Sequence, residues 1–251
     1  MTAQEIISYM ETLQNEKQRQ ILMRFFKTQK KTDYGYGDKF LGLKNPQTRG
    51  VVKLCKDLPL NEIPVLLKCQ WHEVRLCGLL IMVDKFEALA KKRLHNDEKA
   101  MKGRDEIVEM YLKYAHRANN WDLVDLSVHK IIGSWLLLPS AYSEDEKLEI
   151  LDGLADSDNL WKQRMSIVCS WRTSAAGNPF FCLRYAEKHL HHEHDLMHKA
   201  VGWMLREVGK RVSMSLLRDF LQQHIHEMPR TTLRYAIEKM SEDERREWMK
   251  M

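Results

Sequence analysis

At 251 residues, with a formal net charge of +5 and a sequence pI near 8.8, the chain is long enough for a sizeable core and only mildly basic. That balance permits a nucleic-acid partner but falls short of a strong basic footprint. Glycine (11) and proline (6) are few, strand signals are scarce and helical periodicity recurs from end to end, so the expected class is all-α. No window approaches the run of about eighteen apolar residues that a membrane span needs, and the first residues lack a basic segment followed by an apolar one. A cytoplasmic protein is the default. Cys55, Cys69, Cys77, Cys169 and Cys182 form no C-x-x-C pair, and their odd number and apolar settings suggest buried thiols in a reducing compartment.

In chain order, residues 3–26 read as two amphipathic helices broken near Gln14 and Asn15. Residues 27–45 form the longest irregular stretch, with three glycines, Tyr34, Tyr36 and a basic lead-in, and are expected to be a loop. Pro46 suits the start of the next helix, through about Asp57. A short helix over 61–68 and a strongly apolar one over 71–89 follow, and the charged segment 91–103 reads as a solvated loop or linker. Further helices are expected at 105–115, 120–138, 144–155, 160–174, 179–189, 195–210, 213–223 and 230–239. Trp71, Trp135, Trp161 and Trp171 are assigned to the core and Trp248 to the C-terminal surface. The histidine run from His189 to His194 lacks the H-E-x-x-H spacing and any nearby cysteine, so no metal site is expected.

The helix starting near Asn120 carries the pattern that most needs a reason. Val124, Val128, Ile131 and Trp135 make an apolar stripe, while Trp121 and Asp125, four residues apart, share the flank of that stripe. An Asn120 cap with Asp122 in the first turn, favoured by the helix dipole, explains those two residues but not Asp125. Aligning five helix starts puts Arg75, Asp125, Arg164, Lys199 and Arg234 in one column, at intervals of 50, 39, 35 and 35 residues. Such spacing suits a solenoid of helical pairs. Four cations on successive helix N-termini suit a polyphosphate backbone, against which a lone carboxylate is out of place.

The runs NWDLVD (Asn120 to Asp125), NLWKQR (Asn159 to Arg164) and HKAVGWMLREVGKR (His198 to Arg211) resemble the AlkD-like DNA alkylation repair enzymes. FLGLKNPQTR (Phe40 to Arg49) and MPRTTLRYAIEKM (Met228 to Met240) fit the same family, in register over nearly the whole chain. The resemblance implies a HEAT-like helical-repeat solenoid with a concave basic groove, residues 1–251 forming a single domain. It implies a monomeric, monofunctional glycosylase acting on duplex DNA that carries cationic N3- or N7-alkylated purines, without metal or organic cofactor and without extruding the base.

Carried over by position, Trp121 and Asp125 match the family's catalytic tryptophan and aspartate, Trp203 its second sugar-contacting tryptophan, and Arg164 its DNA-contacting arginine. Arg164, Lys199, Arg206, Arg75, Arg230 and Arg234 are the expected DNA-binding cations. A cationic base needs no general acid to leave, and the charge that develops on the deoxyribose calls for a fixed carboxylate and electron-rich indole faces. Which of Tyr34 and Tyr36 touches DNA is open on the sequence. Two other classes stand beside this reading: a noncatalytic DNA-binding repeat protein that recognises distorted DNA, and a protein–protein scaffold.

Overall fold

A computed structural model describes residues 1–251 and is helical throughout, with no strand beyond a single bridge between Lys39 and Trp71. The chain groups into two compact units: Met1–Ser127 with Pro139–Ala141, and Val128–Leu138 with Tyr142–Met251. The first holds α1 (Ala3–Thr12), α2 (Glu16–Phe25), α3 (Asn45–Leu54), α4 (Ile63–Lys68), α5 (His72–Leu89), α6 (Glu98–Lys113) and α7 (Trp121–Asp125). The second holds α8 (Val128–Trp135), α9 (Glu144–Ala155), α10 (Leu160–Val168), α11 (Ser170–Ala175), α12 (Phe180–Lys188), α13 (Asp195–Arg211), α14 (Met214–His224), α15 (Arg230–Ala236) and α16 (Glu242–Lys250). No helix is long and apolar enough to cross a membrane.

In the first unit α5 is the centre, packed against α3, α4, α6 and α7. It has buried residues all round, from Val74 to Phe86, as a helix covered on every side requires. Its charged first turn is buried too, which makes room for the site described below. In the second unit α13 has that role, packing against α10, α11, α12, α14 and α15. At Gly202 a Cβ would lie 2.4 Å from the Thr232 carbonyl oxygen, so glycine there permits the close approach of α13 and α15.

Three departures from the sequence reading have local causes. Residues 98–103, expected in a linker, are the first turns of α6. Asp97 caps it by accepting from the Ala100 N–H at 2.7 Å. Arg104 reaches back, fully buried, to the carbonyls of Leu89, Leu94, His95 and Pro139. The helix expected over 120–138 breaks after Asp125, where the Ser127 hydroxyl donates to the Leu123 carbonyl and the Ser127 N–H turns to Val124. Val124, Val128, Ile131 and Trp135 are nonetheless all fully buried. Lastly, residues 242–250 form a helix, capped by Ser241, that buries Trp248 rather than leaving it at the surface.

All five cysteines are free, four of them buried, and burial pushes the thiols of Cys55, Cys77, Cys169 and Cys182 up, that of Cys182 to about 12.

Candidate functional site

Trp121 and Asp125 line one recess of about 380 Å³ in the first unit, together with Leu22, Phe25, Phe26, Phe40, Lys44 and Asp122 among others. Their spacing on α7 brings them to the same side, as the sequence suggests. Both are half-buried, so each has a packed flank and an open one. The aromatic wall is larger than the sequence indicated. Phe26 lies 5.3 Å from Trp121, centroid to centroid, and stacks on Phe40 at 5.2 Å. Phe25 meets the Trp121 ring edge-on at 5.8 Å while remaining 60% exposed, the most open of these rings. The signal for Phe25 was two adjacent aromatics at the end of a helix, where neighbours point roughly 100° apart and cannot both enter the core.

Behind this wall the recess has a charged floor. His72, at the start of α5, has its Nδ1 at 2.8 Å from Asp38 and its Nε2 at 2.9 Å from Asp122, with all three side chains enclosed. Burial alone would favour a neutral ring, but Asp122 and Asp38 outweigh it and raise the His72 pKa to about 9. Burial also disfavours the Asp38 charge, yet His72 and Arg75 together hold that carboxyl below its usual range. Asp122 stands in the first turn of α7, as expected, and is also a buried partner of His72.

Glu73 anchors the loop that supplies Phe40 and Lys44. Its buried carboxylate accepts from the backbone N–H groups of Leu41 (2.9 Å), Gly42 (2.8 Å) and Leu43 (3.1 Å). Gly42 has φ +90°, and a Cβ there would lie 2.2 Å from the Asn15 carbonyl oxygen, so the turn accepts no other residue without rearrangement.

The expected column of Arg75, Asp125, Arg164, Lys199 and Arg234 does not share one environment. Arg75, read as a phosphate ligand, is 2% exposed and donates to Asp38 and to the carbonyls of Cys69 and Gln70, which turns its guanidinium inward. The remaining candidates belong to the second unit. Arg164 is 5% exposed and donates to the Leu196 carbonyl. Lys199 pairs with Asp195 at 2.7 Å, and Arg206 pairs with Glu238. Arg230 reaches the Met249 carbonyl, while Arg234 is exposed beside a shallow basic depression shared with Arg245 and Arg246. The last two arginines were missed because their helix was not foreseen. Trp203 sits half-buried on α13, directly after the close-packed Gly202.

No group of three or more His, Cys, Asp or Glu is placed to hold a metal ion. The histidine run has structural partners: His189 with Ser166 at 2.8 Å, His192 with Gln163 at 2.9 Å, and His194 capping α13. Tyr36 is exposed, whereas Tyr34 lies under Lys27 at 5.9 Å.

Curated protein sequences gave no match. Among solved structures, the fold is similar to that of "Predicted DNA alkylation repair enzyme from Enterococcus faecalis", with a TM-score of 0.65 at 14% identity over 91% of this chain and 97% of that one. A family model described as DNA alkylation repair enzyme matches residues 6–240. On that match over nearly its whole length, the chain belongs to the DNA alkylation repair enzyme family.

Proposed function

We propose that the protein is a monofunctional DNA glycosylase, hydrolysing the N-glycosidic bond of cationic N3- and N7-alkylated purines in duplex DNA. The observation that carries this reading is the pairing of Trp121 and Asp125 on one wall of an aromatic recess, in a chain of this family. The C1′–N bond breaks with its electron pair leaving on the base, which neutralises the base's charge. Positive charge then grows on the sugar, where the Asp125 carboxylate stabilises it and the indole face of Trp121 adds cation–π attraction. Water adds at C1′, its proton passing to Asp125 and on to solvent. The sugar rather than the base is held, so the base stays stacked.

In this reading the chain acts as a monomer without metal or organic cofactor, and its helical pairs are of the HEAT-like kind. Lys199, Arg206, Arg230 and Arg234 meet phosphates, joined by Arg245 and Arg246, whereas Arg164, 5% exposed, is reassigned to holding the Leu196 carbonyl. Arg75 is reassigned to holding Asp38. The decisive experiment incubates duplex DNA containing 7-methylguanine with the wild type and with Asp125→Asn, and scores released base. Loss of about 10²–10³-fold in release, with duplex binding largely kept, is expected for removal of one transition-state electrostatic partner. An inert wild type that binds duplex in a salt-dependent way would favour a noncatalytic DNA-binding protein. An inert wild type with no DNA affinity would favour a protein scaffold.

A further inference from the structure

Helix α7 is five residues long, too short to be stable alone, yet it carries both groups assigned above to the chemistry. Besides its buried Leu123 and Val124, a chain of buried polar contacts holds it. The Cys69 and Gln70 carbonyls fix the Arg75 guanidinium, Arg75 fixes Asp38, Asp38 fixes one nitrogen of His72, and the other nitrogen fixes Asp122 in the first turn of α7. A neutral imidazole has one N–H and could satisfy only one of two carboxylates, so the two-sided contact needs the imidazolium. Two cations and two anions then balance within the cluster. Asp122 Oδ1 is buried without a hydrogen-bond partner, so this carboxylate is held at Oδ2 by His72. At the head of the helix Asn120, fully buried, caps the Trp121 N–H at 2.9 Å. Gly35 packs so tightly there that a Cβ would lie 3.1 Å from the Asn120 amide nitrogen.

We propose that His72 is a positioning residue for the reaction: bridging Asp38 and Asp122, it sets where Trp121 and Asp125 stand at the recess. The proposal rests on the glycosylase reading for its catalytic consequence but not for its structural one. Other charged groups around the bridge are accounted for. Glu73 faces the Leu41–Leu43 backbone, Arg117 binds the carbonyls of Leu67, Lys68 and Cys69, and Lys44 lines the recess with Asp125. Reactive groups need placement to within about 0.5 Å, so a displacement too small to unfold the unit would still impair turnover.

The test uses the full chain labelled with 5-fluorotryptophan, the Trp121 ¹⁹F resonance being assigned with Trp121→Phe. His72→Gln removes the charge while keeping a hydrogen-bonding side chain. Leu66→Ala, in the apolar core of the same unit, controls for lost stability alone. His72→Gln is expected to displace or double the Trp121 resonance and to lower single-turnover base release at least about tenfold, with duplex affinity within about threefold. Leu66→Ala is expected to lower the melting temperature with both readouts close to wild type. In the unmutated protein the same resonance should titrate with a midpoint near pH 9, which covers the case of a variant that does not fold. A Trp121 signal indifferent both to His72→Gln and to that pH rise would overturn the proposal, as would equal effects of Leu66→Ala. A wild type that releases no base refutes the glycosylase reading, while the fluorine signal still decides whether His72 positions the helix.

Discussion

Replacing Glu73 by glutamine tests how the recess is built. The carboxylate accepts three backbone N–H groups, one through Oε2 and two through Oε1, in a site 2% exposed. Glutamine keeps one carbonyl oxygen, enough for Gly42 and Leu43, but sets an amide NH₂ against the Leu41 N–H, donor against donor. Two charge-assisted hydrogen bonds become neutral ones, a loss of about 1 kcal/mol each, and an orphaned buried N–H costs roughly 1–3 kcal/mol more. Relief from burying a charge offsets part of this, leaving about 2–4 kcal/mol of destabilisation. For a protein of this size that corresponds to a melting temperature lower by on the order of 10 °C. Calorimetry should show the loss, and hydrogen exchange should show protection falling specifically at the Leu41, Gly42 and Leu43 amides. A drop below about 1 kcal/mol with those amides still protected would refute the claim that the carboxylate is the anchor.

Three further outcomes follow from the same geometry. His72 is raised to about 9 from an ordinary 6.5, so its contribution to the first unit is full below about pH 6.5 and is lost as pH rises through 9. His189 is lowered to about 4, mainly by burial, so its contribution is present above pH 6.5 and is lost as pH falls towards 4. Melting temperature measured from pH 4 to pH 10 should therefore fall at both ends, with His72→Gln flattening the alkaline limb and His189→Gln the acid one. Gly202→Ala should destabilise the second unit by about 1–3 kcal/mol, because the added methyl meets the Thr232 carbonyl, and denaturant unfolding reads this directly. Finally, an aromatic disulfide reagent should modify at most Cys69 rapidly in the folded protein and all five thiols in denaturant.

Helical class, most helix positions and the α7 motif were legible in the sequence because they rest on short-range physics: periodicity, capping and i,i+4 proximity. Asn15, Ser143, Asn159 and Ser213 each cap a helix where the local pattern calls for one. The pairing of Trp121 with Asp125 belongs to this group, since four residues on a helix fix which side chains are neighbours.

Only the tertiary structure decided which charges are buried. Arg75 and Arg234 look alike in the chain, and a five-fold alignment treats them as equivalents. Yet one is enclosed by Asp38 and two carbonyls, and the other faces solvent. Asp122 likewise reads as a first-turn acid until a histidine 50 residues earlier in the chain closes on it. Burial of a charge depends on partners supplied by distant segments, and no local window contains them. The sequence alone therefore determined most of the helices and the Trp121–Asp125 pair, and the long-range packing decided the floor of buried ions beneath that pair.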